Sequence, residues 1–219
     1  MSDASFYRRI DDDLYQSTAW TRGPWSMSHQ HAGPPSALAA GRLQSLLPPS
    51  FRVVRVAVEV VRQVPIVPLR FEYSVRRDGR TVKALEGRLL DPNGKLLLTA
   101  EVLAIAEAPL DFDPTPPSMD ESGPDASLPK DFPFRDDDPS YANAMELRFA
   151  RGDFGDGDVM AWFRMRTSLL EGTPAQPLER LLAAADSGNG VSQRISMDDY
   201  LYMNPDLTVT LFRAPRGEW

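Results

Sequence analysis

Among the residues that could carry chemistry, Asp186 comes first. It lies in the run "LLAAADSGNGVS", and Leu178, Leu181, Leu182 and Ala185 ahead of it repeat at helical spacing. Counted from Leu178 it falls at i+8, on the edge of the apolar stripe. A carboxylate held near a core is unfavourable unless it is hydrogen-bonded or takes up a proton, and such a group is a candidate acid or base. The plainer reading is a helix stop with Gly188 just past the end and Asp186 meeting water. Asn189 could donate a hydrogen bond in the same site, or only take a turn conformation. A second constellation is His29-x-His31. On a strand the two rings would face one way, as metal ligands can, but the sequence suggests no third ligand. His31 also stands at the entrance of a helix, where Gly33 and its neighbours would offer free N–H groups to a carbonyl or a phosphate.

These residues need elements to hold them. "HAGPPSALAAGRLQSLLPP" opens with Gly33 and Pro34 and closes on Pro48 and Pro49, the punctuation of one helix. Ala39, Leu43, Leu46 and Leu47 form its apolar stripe, and Ala37, Ala40 and Gly41 would let a sheet approach closely. "FRVVRVAVEVVR" predicts a strand with Val54, Val56, Val58 and Val60 on one face. "LRFEYSVRR" alternates Leu69, Phe71, Tyr73 and Val75 with polar residues, Asp78-Gly79 and "DPNG" mark turns, and "KLLLTAEVLAIA" adds a strand. The order predicts an α+β unit in which a long antiparallel meander wraps one helix.

Residues 107–140 change character. They are rich in proline and acid and lack a period, which predicts a linker between an N-terminal unit, 1–106, and a C-terminal unit, 141–219. The second unit repeats the theme: strands "AMELRFA" and "DVMAWFRMRT", the helix "QPLERLLAAAD", then the strand "DLTVTLFRAP". "VEVVRQVP" and "VTLFRAP" are each a strand after a helix, ending in arginine with a proline soon after. We read an internal repeat, although strand-exit chemistry alone could produce the same text. The second copy is expected to be incomplete, because few residues follow Arg213 where a meander follows Arg62.

Bulk composition narrows the function classes. With 42% hydrophobic residues the chain is globular, and a net charge of −7 speaks against non-specific nucleic-acid binding. The absence of cysteine rules out disulfides, a thiol nucleophile and Cys-ligated zinc. The start has no apolar core and no run is long enough to span a membrane, so a cytoplasmic location is expected.

A duplicated unit of one helix cradled by an antiparallel sheet is the double hotdog. The quoted stretches resemble the acyl-CoA thioesterases of the bacterial thioesterase II-like group. "HAGPPSALAAGRL" resembles the His-Gly-Gly-Pro helix start of its N-terminal hotdog, with Ala32 where a glycine is usual. "ADSGNGVS" and "MNPDLTVTLFRAPRGEW" resemble the C-terminal one. The resemblance implies an α+β double hotdog, hydrolysis of acyl-CoA by an activated water, no metal or organic cofactor, and a homo-oligomer associating through its sheets. It also implies an aspartate at a fixed spacing before the arginine that ends the strand after the second helix, then a threonine and a glutamine that would fall past Trp219. That spacing back from Arg213 gives Asp206, and back from Arg62 gives Arg55. The expected site is therefore Asp206 and Asp186 as catalytic carboxylates, with Asn189, Thr208, His31 and Gly33 against the substrate. Thr208 and Thr210 would share the strand face of Asp206, while Asp206 after Asn-Pro is also ordinary turn chemistry. Trp20, Trp25, Trp162 and Phe163 are expected in a core or interface, or as the wall of an acyl tunnel. A non-catalytic acyl-CoA or lipid binder on the same fold is the alternative. A hydratase-type hotdog ranks below both, since no Asp-x-x-x-x-His dyad is present.

Overall fold

The computed structural model describes residues 4–108, 122–196, 199–200 and 202–219. The N-terminal hairpin, β1 (Ser5–Asp11) and β2 (Leu14–Ser17), leads through a loop into helix α1 (Gly33–Ser45). The meander follows as β3 (Phe51–Val60), β4 (Pro68–Asp78), β5 (Val82–Leu90) and β6 (Leu96–Ala106). Beyond the undescribed stretch come β7 (Leu128–Lys130), the short α2 (Tyr141–Ala144), β8 (Met145–Arg151), β9 (Met160–Met165) and β10 (Ser168–Leu170). The chain then forms α3 (Pro177–Ala185), α4 (Gly188–Val191) and β11 (Asp206–Thr210). The large sheet runs β10-β1-β2-β4-β5-β6-β3-β11, and a small one runs β7-β8-β9.

Helix α1 is buried almost all round over its first two turns, because the sheet lies on one side and α3 on the other. Small residues make this possible. A Cβ on Gly33 would overlap the carbonyl oxygen of Ala183, and one on Gly41 would meet the Glu179 side chain. The expected apolar stripe overruns the helix: Leu43 is fully buried, but Leu46 is its C-terminal cap and is exposed. On β3 a bulge between Val53 and Arg55 inserts one residue and shifts the phase, so Val53, Val56 and Val58 face the core and Val54 does not. On β4 the alternation holds for Leu69 and Phe71; Tyr73 and Val75 lie in exposed strand.

The two copies meet through β3 and β11. The offset that carries Arg62 onto Arg213 also carries Arg55 onto Asp206 and Glu59 onto Thr210. In the antiparallel ladder Asp206 pairs with Glu59 and Thr210 with Arg55, a register that exchanging the copies leaves unchanged. Both units are thus built on one plan, joined strand to strand and helix to helix.

The stretch expected as linker is only partly so. Residues 109–121 lie outside the described residues, but β7 pairs with β8, and Phe132 is buried in the core. The buried Arg22 guanidinium binds Asp136 at 2.5 Å, which pins the segment ahead of α2 to the N-terminal unit. Proline and acid obscured this in the sequence, because a short strand and one anchoring aromatic carry no period.

Candidate functional site

The site forms where α1 begins and α3 ends. The segment before α1 is held by backbone bonds from Gln30 N–H to the Val64 carbonyl and from His31 N–H to the Thr21 carbonyl, each 2.8 Å. Tyr7 donates to the Gln30 side chain at 2.6 Å, and that amide donates to the Pro65 carbonyl at 2.7 Å. His31 is therefore fixed from its backbone outward. Its ring lies flat on the ring of Tyr141 from α2, with centroids 3.7 Å apart and planes 3° from parallel.

Helix α3 starts on a capping box formed by Gln176 and Glu179 and ends with Asp186 as its C-cap. No left-handed glycine follows: among the described residues Gly188 is absent from the positive-φ positions, and the chain runs directly into α4. Asp186 does not meet water there. Its side chain is 9% exposed and that of His31 11%, and Asp186 Oδ2 lies 3.1 Å from His31 Nδ1. Asn204 Nδ2 donates to Asp186 Oδ1 and to its backbone carbonyl, both at 2.8 Å. Burial holds the His31 pKa below the usual imidazole value, and the neighbouring carboxylate offsets only part of that effect.

This group faces a cleft of about 920 Å³, open solvent at its mouth included. Trp25, Phe132, Phe134, Phe154, Val60 and Val64 give it apolar lining, and Gln30, His31, Asp186, Ser187, Asn189 and Asn204 add polar groups. A long apolar substituent with one polar reacting group suits such a lining. His29 also faces the cleft but bonds to Ser26 and Ser28. Among the described residues no group of three or more His, Asp or Glu side chains is placed to hold a metal.

The expected residues divide into two sets. Asp186, His31 and Asn189 come together at the cleft. Asp206 and Thr208 do not: they are exposed on β11 and line an open groove with Glu59, Glu86 and Glu101 on the outer surface of the sheet. The reason is the two-residue period, which turns Leu207 and Val209 towards the core and their alternate neighbours away. Gly33 is likewise corrected. Its N–H is committed to His31 Nδ1 at 3.1 Å, Ser36 N–H closes on the Ala32 carbonyl, and Pro34 and Pro35 between them have no N–H. Gly33 therefore has no N–H free for a substrate and serves the crossing of α1 over α3.

Sequence reasoning missed Tyr141, Ser187, Asn204 and the phenylalanines at 132 and 134. Asn204 was readable only as Asn-Pro turn chemistry, and Ser187 only as part of a helix stop. Nothing in the text marked Tyr141. Trp25 is a cleft wall packed edge-on against Tyr202, with ring centroids 6.1 Å apart.

Comparison with known proteins agrees with this architecture. No curated protein sequence matches the chain. Its structure is similar to a protein of unknown function with a hot dog fold from Alicyclobacillus acidocaldarius, with TM-score 0.71 and 16% identity, over 94% of this chain and 76% of that one. It is also similar to a proposed thioesterase II from Thermobifida fusca, with TM-score 0.69 and 17% identity, over 96% and 79% of the respective chains. A tesB protein from Mycobacterium avium subspecies paratuberculosis aligns with TM-score 0.60 and 15% identity, over 97% and 78%. At these identities the likeness establishes the double hotdog fold. The family model for the acyl-CoA thioesterase N-terminal domain matches residues 21–106 and that for the C-terminal domain residues 120–219, so the chain belongs to the acyl-CoA thioesterase family.

Proposed function

We propose that this chain hydrolyses acyl-CoA thioesters in the cleft between its two units, with Asp186 and His31 as the proton-handling pair. The observation that carries this reading is the buried contact of Asp186 Oδ2 with His31 Nδ1 at a cleft lined also by aromatic and aliphatic side chains. A carboxylate and an imidazole in contact are together a stronger proton acceptor than either alone, because the proton gained creates an ion pair in a site of low dielectric. Water beside Asp186 gives up a proton to the pair as its oxygen attacks the thioester carbonyl. The tetrahedral adduct then expels CoA as its C–S bond breaks, and the pair returns the proton to the sulfur. Asn204 holds Asp186 in place through two hydrogen bonds, and in this reading Asn189, which lines the same cleft, donates to the developing oxyanion. The acyl chain lies against Phe132, Phe134 and Phe154.

The test is release of free CoA thiol from medium-chain acyl-CoA by the parent, Asp186→Asn and Asp206→Asn. Asparagine at 186 keeps the Asn204 bond to Oδ1 but cannot take a proton. Turnover should fall about 10²- to 10⁴-fold at position 186 and stay near the parent at position 206. Loss at 206 with activity kept at 186 would refute the assignment. A parent that binds acyl-CoA without turning it over would instead favour a non-catalytic acyl-CoA binder.

A further inference from the structure

The alternation in "LRFEYSVRR" outruns the core. β4 keeps a two-residue period from Leu69 to Val75, so Tyr73 and Val75 stand on the face that Leu69 and Phe71 bury. The Phe71 and Tyr73 rings lie 6.3 Å apart on that face. Tyr73 is nevertheless 51% exposed and Val75 55%, and both are residue types that favour packing on a sheet. The strand edge beside them is bare as well. β2 pairs with β4 only from Pro68 to Arg70, and the last tie is the Phe71 N–H on the Asp13 carbonyl at 2.8 Å. Along a strand, alternate residues turn their backbone groups to the same side, so Tyr73 and Val75 direct N–H and C=O as Phe71 does. Among the described residues no strand meets them. The chemistry at His31 uses none of this surface.

We propose that this edge binds the same edge of a second copy of the chain, β4 against β4 and antiparallel, with Ser74 on the two-fold axis. Tyr73 of each copy then lies opposite Val75 of the other, and each such pair exchanges two backbone hydrogen bonds. Their side chains cover one another on the apolar face. On the opposite face Glu72 of each copy meets Arg76 of the other. Arg76 already reaches Glu86 in its own sheet, whereas Glu72 has no ion pair among the described residues. Arg77 of each copy arrives beside the acidic run Asp11, Asp12 and Asp13 of the other, where Arg9 and Arg42 answer only Asp12 and Asp13. β4 bulges between Val75 and Arg77, which bends the strand just where it would otherwise run into the other copy's Asp13. Charges and bulges also guard sheet edges against foreign strands. Here they act selectively, because the same strand reversed sets acid against base at both ends and an unrelated strand does not.

Five paired residues make a small interface, so the dimer should form and dissociate with concentration. Sedimentation equilibrium should show the parent rising from the 24.4 kDa chain mass towards twice that value as concentration increases to the millimolar range. Glu72→Arg sets arginine against arginine, Arg76→Glu sets glutamate against glutamate, and each should raise the dissociation constant about tenfold or more. Mixed in equal amounts, the two variants regain opposite charges at both contacts, and a dimer near the parent's strength should return. Ser74→Cys reads the same pairing without touching a charge, in a chain that has no cysteine of its own. On the axis the two Cα atoms stand about 4.5 Å apart in a non-hydrogen-bonded pair, within disulfide reach. Mild oxidation should link the copies there and leave Thr208→Cys, on β11 at the other edge of the sheet, unlinked. A parent that stays monomeric at millimolar concentration overturns the proposal. So does a dimer untouched by either charge reversal, or a mixture that stays apart while circular dichroism shows both variants folded. Oxidation that links Thr208→Cys and spares Ser74→Cys overturns it too.

Discussion

Replacing Gly33 by alanine tests the helix crossing on which the whole site depends. The added methyl carbon would overlap the Ala183 carbonyl oxygen, and backbone cannot step aside as a flexible side-chain end can. Overpacking of this kind costs about 1–3 kcal/mol. Alanine also favours a helix over glycine by up to about 1 kcal/mol, an effect that works the other way. The net expectation is a loss of about 1–2 kcal/mol, which for a chain of this size lowers Tm by roughly 2–8 °C. Gly188→Ala is the matched control: it lies in α4, and a Cβ there meets nothing within 4 Å. Urea denaturation followed by far-UV circular dichroism compares both with the parent. Turnover should fall with stability in Gly33→Ala alone, because Gly33 N–H binds His31 and the Ala183 carbonyl binds Tyr141. If Gly33→Ala proves as stable and active as Gly188→Ala, α1 and α3 do not touch as described and the site built on their crossing falls with them.

Two further outcomes test other parts of the structure. His31 has its pKa lowered by burial, so the unfolded chain takes up a proton near the ordinary imidazole value while the native ring stays neutral. Its contribution to stability is therefore present above that value and declines as pH falls through it towards the native pKa. Urea midpoints at pH 7.5 and 5.5 should separate more for the parent than for His31→Gln, and equal separations would contradict the burial. Phe132→Ala should destabilise the fold by about 3–5 kcal/mol, as for an aromatic removed from a packed core. A Tm near that of the parent would return the segment before α2 to the status of a linker.

The balance between text and structure differs from one element to the next. The start of α1 was legible from Gly33 and Pro34, which act on their own backbone, while the prolines at 48 and 49 marked its end only loosely, since the helix stops at Ser45. The repeat was legible in the two strands that precede Arg62 and Arg213, and the β3–β11 register bears it out. On β3 the alternation held for Val56, Val58 and Val60, but one bulge puts Val53 in the core in place of Val54, and no residue there announces it. Asp186 was open to two readings, since its position at a helix end is local while the His31 ring and the Asn204 amide that meet it come from far along the chain.

Asp206 shows the same division most plainly. Its place on a strand followed from sequence, whereas its side was decided by which alternate residues of β11 the core required, and Leu207 and Val209 took the inner face. What sequence alone determined is what the backbone enforces over a few residues: helix limits, turns, alternation, and the exclusion of thiol chemistry by composition. What only the tertiary structure decided is which side chains share a buried volume. Tyr141, His31 and Asp186 come from separate stretches, and packing alone brings their polar groups together away from water, where each must find a partner in the others.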